Sequence, residues 1–188
     1  MRRILVLLAL ALAAMPAAAQ PPPAVAAAGA AFADAARWQT CFTPGEDCTR
    51  VIVAAVADAR STIRLQAYVF TSEPILRAVR EARARGVDVR AILDKSQARP
   101  GRDVAAALAR AGIAVAIDVR PAIAHNKVIV IDAHTVITGS FNFTRSAQAR
   151  NAENVLIVRG DAALAGAYAD NWRQREQHSV PYREPAAE

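Results

Sequence analysis

The chain has 188 residues, of which 54 % are hydrophobic, with 23 basic and 17 acidic side chains and a formal net charge of +6. That supplies one domain with a real core, and two cysteines without nearby histidine partners exclude a structural zinc site. The basic balance fits a polyanionic partner, either nucleic acid or an anionic membrane surface.

Met1-Arg2-Arg3, an apolar run over residues 4–14, and Ala17-Ala18-Ala19 before Gln20 read as a secretory signal peptide, residues 1–19. The apolar run ends at Met15-Pro16, short of the roughly 18 residues that a spanning helix needs. No cysteine stands at the cleavage site to carry a lipid. The mature chain is therefore expected to be exported, periplasmic or secreted, with no stable membrane anchor. Losing Arg2 and Arg3 and no acids lowers its net charge from +6 to +4. Residues 20–30 form a Pro- and Ala-rich leader, expected to be disordered, and residues 31–188 are expected to fold as one domain. Cys41 and Cys48 are expected to pair in an exported chain, closing a small loop over Thr43-Pro44-Gly45-Glu46-Asp47.

Residues 37–42 read as a strand and 49–60 as a helix with one apolar face. Residues 62–70 alternate Ile63, Leu65, Ala67 and Val69, the period of a strand. Ser72 fits an N-cap, with Pro74 in the first turn of a helix that runs to Arg85 and stops at Gly86. Residues 87–93 read as a buried strand. The polar stretch 94–103, with Pro100-Gly101, reads as a loop, and a helix over 102–111 follows, ended by Gly112. Strands are predicted at 113–117, 127–131, 135–139 and 154–159, and Asp161 opens a last helix through Trp172 towards Gln177. This alternation predicts an α/β fold: a mixed, largely parallel central sheet flanked by helices on both faces.

The chemistry lies in His125-Asn126-Lys127, then Asp132, then Gly139-Ser140-Phe141-Asn142. His125 and Lys127 are two apart on a strand and share a face. Asp132-Ala133-His134-Thr135 can close a tight hairpin. With Asp132 paired to Thr135, Lys127 faces Ser140 and His125 faces Asn142, so all four side chains meet at the open end of the hairpin. Asp132 lies roughly 17 Å along an extended strand from Lys127 and has the opposite parity. It is read as structural, shaping the turn or pairing with a buried base. His134 reads as a turn residue and Trp172 as core.

This set suits a phosphodiester. Lys127 can neutralise a non-bridging oxygen, and Ser140 and Asn142 can donate hydrogen bonds to it. The His125 imidazole can attack phosphorus and form a phosphohistidine. A second, protonated imidazole is needed to donate to the departing oxygen. Glu153 could orient His125 through its other ring nitrogen. Lys95 and Arg102 flank the Pro100-Gly101 loop and are candidates for gripping backbone phosphates. No Asp/Glu cluster or His/Cys set has the spacing of a Mg²⁺ or Zn²⁺ site, so no metal or other cofactor is expected.

His125-x-Lys127-x4-Asp132-x6-Gly139-Ser140-x-Asn142 resembles the HKD motif of the phospholipase D superfamily. Gly139-Ser140-Phe141-Asn142-Phe143-Thr144 and Asn151-Ala152-Glu153-Asn154 are similar to the small bacterial periplasmic endonucleases of that family. The resemblance extends to Tyr68-Val69-Phe70-Thr71, Arg85-Gly86-Val87-Asp88-Val89 and Asn171-Trp172. It implies metal-independent phosphodiester hydrolysis with a histidine nucleophile at His125 and with Lys127, Ser140 and Asn142 on the phosphate. The Cys41 and Cys48 pair departs from the pattern. With one motif per chain and two imidazoles required, a homodimer sharing one site is expected. The leading expectation is an endonuclease on DNA, with RNA as a further candidate substrate, and with little sequence preference. A phospholipase D acting on lipid headgroups and a catalytically idle nucleic-acid-binding module are the alternatives.

Overall fold

A computed structural model of the chain describes residues 29–99 and 101–184. The expected signal peptide and the leader up to residue 28 lie outside the described residues.

Strand β1 (Arg37–Thr43) turns into helix α1 (Cys48–Ala57), and the Cys41–Cys48 disulfide ties the two together. The Asp47 carboxylate caps α1 by accepting from Arg50 N at 2.9 Å. Next come β2 (Thr62–Ala67), α2 (Glu73–Ala84), β3 (Asp88–Asp94), one 3₁₀ turn (Lys95–Ala98), α3 (Val104–Arg110) and β4 (Ala114–Asp118). The chain continues through β5 (Lys127–Ile131), β6 (Thr135–Gly139), α4 (Arg145–Ala149), β7 (Glu153–Arg159), α5 (Ala162–Glu176) and β8 (Val180–Pro181).

The strands form one sheet in the order β1-β7-β6-β5-β2-β3-β4-β8. Alternation along each strand sends side chains to two layers. Ile63, Leu65, Ile129, Ile131, Ile137 and Ile157 pack in the main core that α1, α2 and α3 help to close. On the other face Val128, Val130 and Val136 meet Ala165, with Leu164, Tyr168 and Ala169 of α5 packed against them. Every residue of β5 is buried, as its uninterrupted Val/Ile run requires of a strand covered on both faces. Trp172 anchors α5 to the sheet by donating its indole N–H to Leu65 O at 3.1 Å.

The mixed α/β sheet with helices on both faces agrees with the sequence pattern, but its parallel share is smaller than expected. Only β2–β3 and β3–β4 run parallel; the remaining adjacent pairs are antiparallel. The cause is local. β5 and β6 are joined by a hairpin, and β6 and β7 by little more than the short α4, so neither connection is a long crossover. The sequence pattern missed α4, which Thr144 caps by accepting from Ala147 N at 3.0 Å, and the two-residue β8.

Asp132 explains two further differences. Its carboxylate accepts from Arg60 N, Ser61 N, Ser61 Oγ and Thr62 N at 2.7–2.8 Å. Those amides are thereby drawn out of a continuing helix, and α1 ends at Ala57 rather than at residue 60. The same residue shapes the β5–β6 turn. Asp132 and Ala133 both adopt positive φ, 51° and 56°, and Ile131 rather than Asp132 pairs with Thr135. The loop therefore holds three residues, and the register moves by one from the expected pairing.

Burial alone would raise the Asp132 pKa, but hydrogen bonds from Thr62, Ser61 and Arg60 outweigh it and bring it down to about 2. A carboxylate held below its unfolded value stabilises the fold above that value and loses the contribution as pH falls. Asp132→Asn should cost about 1–2 kcal/mol near neutral pH, allowing for partial solvent screening. In denaturant titrations the gap from wild type should narrow below about pH 4 and close near pH 2. A gap that stays constant through that window would refute an ionic role.

Candidate active site

One edge of the sheet gathers the carboxyl ends of β2, β3 and β6 and the amino ends of β5 and β7. The pairs Ala67↔Lys127 and Gly139↔Val155 mark it. Ligand sites of open α/β sheets collect at the carboxyl ends of the parallel strands.

His125 lies exposed just before β5, with its ring against Tyr68, centroids 4.6 Å apart. Lys127 opens β5 with only 6 % of its surface accessible. Its Nζ stands 3.0 Å from His125 Nδ1, donates to His125 O at 2.8 Å and lies 5.2 Å from the centre of the Tyr68 ring. Burial pulls the Lys127 ammonium below its ordinary value, and the Glu153 charge opposes that pull.

On the neighbouring strands, Ser140 Oγ donates to Glu153 Oε2 at 2.6 Å and accepts from Asn154 N at 3.1 Å. Asn151 Nδ2 holds the other Glu153 oxygen at 2.8 Å. Gly139 makes this approach possible: its φ is +148°, and a Cβ there would lie 2.2 Å from the Asn154 carbonyl oxygen. Asn142 Oδ1 is the only buried side-chain N or O among the described residues without a hydrogen-bond partner. Such an atom costs about 1–3 kcal/mol and marks a place where a ligand group can enter. Amide N and O are interchangeable in placement, so half a turn offers an NH₂ donor instead.

The observed register, extended two residues, sets Lys127 across from Gly139, one position short of the expected Ser140. The expected contact between Glu153 and His125 is also absent within one chain. Glu153 opens β7 while His125 precedes β5, with β6 between them. Glu153 instead accepts from Ser140 and Asn151, and its charge acts on Lys127. Lys95 commits an N–H to Pro121 O at 3.1 Å, supporting the loop that leads into His125. Arg102 is exposed, lining a cleft of about 300 Å³ with Thr71 and Gln97.

Three positioning residues escaped the sequence reading. Buried Asp94 accepts from Ala124 N at 2.8 Å and from Ser96 N at 2.8 Å, fixing the residue before His125. Burial would raise its pKa; hydrogen bonds from Ser96 and Ala124 and the Lys95 charge bring it below the ordinary value. Gln66 accepts from Asn126 Nδ2 at 2.5 Å, and Gln97 accepts from Phe70 N at 3.3 Å. A buried polar residue ending an apolar strand, as Asp94 does, is the signal that could have found the first. Among the described residues no group of three or more His, Cys, Asp or Glu side chains is placed to hold a metal ion. What the edge does present is an imidazole, an ammonium, a hydroxyl and an amide, which can bind a tetrahedral anion and attack it.

Comparison with known proteins supplies a lineage for this arrangement. Residues 52–175 match the family described as cardiolipin synthase, PLD-like domain. A protein named phospholipase D from Rickettsia bellii is 47% identical over 137 residues, 73% of this chain and 68% of that protein. The human mitochondrial cardiolipin hydrolase is 35% identical over 134 residues, 71% of this chain and 53% of that one. Among solved structures, Nuc from Salmonella typhimurium, a phospholipase D family member, aligns with a TM-score of 0.74 and 35% identity, covering 79% of this chain and 99% of its own.

The charge balance at Lys127 can be tested directly. Glu153→Gln removes the one influence that raises the Lys127 pKa, so the ammonium should titrate at lower pH than in wild type. NMR of the Lys127 side-chain nitrogen reads this without any assumption about activity. An unchanged or raised titration would show that Glu153 does not act on Lys127.

Proposed function

We propose that this chain, which belongs to the phospholipase D superfamily, is an exported endonuclease that cleaves DNA, and RNA as a second substrate, with little sequence preference. The chain is a hydrolase of that family acting on phosphodiester bonds; the nucleic-acid substrate, the export and the shared site below are our reading. The observation that carries it is the buried Lys127 ammonium held 3.0 Å from the Nδ1 of an exposed histidine. Lys127, Ser140 and Asn142 would bind the phosphate oxygens. His125 attacks phosphorus through Nε2 and forms a P–N bond while the P–O bond to one nucleoside breaks. The protonated His125 of the partner subunit gives its proton to that oxygen, then takes one from the water that hydrolyses the phosphohistidine. The charge stabilisation that a metal-dependent nuclease draws from its ions comes here from Lys127 and the neutral donors.

The basic balance suits a polyanion, nucleic acid and an anionic membrane surface alike, and no helix among the described residues is long and apolar enough to cross a membrane. The names of the rickettsial and mitochondrial relatives favour lipid, as does Ile123, 51 % exposed two residues before His125. Phospholipid hydrolysis is therefore the second reading. Dimerisation has a candidate surface in Trp38 and Phe42, 69 % and 54 % exposed on one face of edge strand β1. Phe42 pairs with Asn154, whose amide reaches Ser140, so this apolar strip runs up to the site.

The wild-type protein in excess EDTA should cleave plasmid DNA and leave phosphatidylcholine intact; the reverse preference would establish the lipid reading. His125→Asn should lower turnover by on the order of 10³-fold or more while nucleic-acid binding persists. Quenching wild type with labelled substrate should trap an acid-labile, base-stable phosphoramidate on His125, and label on Ser140 instead would remove His125 as nucleophile. Replacing Trp38 and Phe42 together by Glu should turn a dimer into a monomer by light scattering and cut turnover at least about tenfold, because each monomer lacks the second imidazole. Full activity in that monomer would end the shared-site model.

A further inference from the structure

The outer face of α2 is richer in charge than its packing needs. Ile75, Leu76, Ala78, Val79 and Ala82 are buried, while Arg77, Arg80 and Arg83 are exposed. Three residues apart, these arginines follow one flank of the helix and advance about 4.5 Å per step. Arg77 has only a 4.0 Å approach to Glu81, and Arg80 and Arg83 form no ion pair among the described residues. All three line one open cleft of about 790 Å³, in which Gly86, Ala111 and Gly112 leave room for a chain to lie close.

This cleft starts from the end of α2 that lies next to the segment carrying Asn142. Glu73 lines both it and the smaller cleft that holds Thr71, Gln97 and Arg102, so the two adjoin along α2. At the amino end of α2, Thr71 N and Ser72 N both donate to Phe143 O at 2.8 Å, one residue from Asn142. From there to Arg83 the helix spans roughly 16 Å, the length of about five phosphates of a stacked strand. Glu73 and Glu81 also face the larger cleft, so the three arginines leave it a modest positive excess. Its lining holds alanines and glycines but no large apolar side chain, which a membrane-docking face would present.

We propose that the cleft along α2, walled by Arg77, Arg80 and Arg83, is a docking track for the stretch of nucleic-acid strand that extends away from the scissile phosphate. This rests on the nuclease reading above. The contacts go to backbone phosphates, so the track adds affinity and processive hold on long strands without adding sequence preference.

The test is a variant with Arg77, Arg80 and Arg83 all changed to Gln, with melting temperature and circular dichroism confirming the fold. Cleavage of a small diester, bis(p-nitrophenyl) phosphate, should match wild type within about twofold. On a long single-stranded oligonucleotide KM should rise about tenfold at moderate salt, and the slope of log affinity against log salt should flatten by about 2–3, as expected for three lost phosphate contacts. The corresponding Lys variant should recover most of the loss. An unchanged KM and salt slope on long strands, in an enzyme that cleaves them, overturns the track alone. Wild type that cleaves no nucleic acid overturns the nuclease reading and the track together. A variant that loses anionic-vesicle binding but keeps its grip on the oligonucleotide assigns the face to a membrane and also overturns the track.

Discussion

The carboxylate of Asp132 sets the register on which the site depends. By accepting four hydrogen bonds from Arg60 to Thr62 it locks the β5–β6 turn to the entrance of β2. Strand side chains alternate, so a slip of one residue would exchange the two faces of the sheet. Lys127 would then point towards α5, and the Val/Ile rows of β5 would trade layers. The motif's acid thus acts at the far end of the hairpin from the histidine. What it contributes to chemistry is alignment.

At the opposite edge, the fold accepts costs that a purely structural sheet would avoid. Lys127 is an ammonium at the rim of the main core, Asn142 Oδ1 has no partner, and Gly139 holds a backbone angle that disfavours other residues. Compensation is local and incomplete. Lys127 has the His125 carbonyl, the Tyr68 ring and the charge of Glu153, yet its pKa still falls. Unsatisfied polar groups and shifted ionisations that cluster in one place are what a ligand-binding edge looks like before the ligand arrives.

Much of this was legible in the sequence, and the limits have physical causes. Period-two alternation located β2 and the all-apolar run located β5, because burial dictates those patterns. The contact of His125 with Lys127 agrees with strand parity, two residues apart on one face; the expected pairing of Lys127 with Ser140 does not hold, because the observed register sets Gly139 across from Lys127. The register was off by one because turn type depends on where the Asp132 side chain finds its donors, and Arg60 to Thr62 are remote in sequence. Within one chain Glu153 meets Ser140 and Asn151 rather than His125, and spacing along the chain does not reveal that β6 lies between β7 and β5. Asp94 and Gln66 hold the loop that presents His125, through Ala124 and Asn126, and Gln97 holds Phe70; all three of these partners are remote in sequence.

The contact between Lys127 and His125 also constrains how the site can fire. An ammonium only donates, so a charged Lys127 at 3.0 Å needs the Nδ1 lone pair of His125 and favours the tautomer with its proton on Nε2. In that tautomer Nε2 would have no lone pair free to attack. A phosphate oxygen is a stronger acceptor for Nζ than a ring nitrogen, since it bears charge. If His125 is the nucleophile, as proposed, a bound phosphodiester that drew the ammonium away would free Nδ1 to take a proton from solvent while Nε2 gives its own to solvent, exposing the Nε2 lone pair towards phosphorus. Substrate binding and activation of the nucleophile would then be one event, and water, which carries no charge to compete for Lys127, would leave the resting tautomer in place.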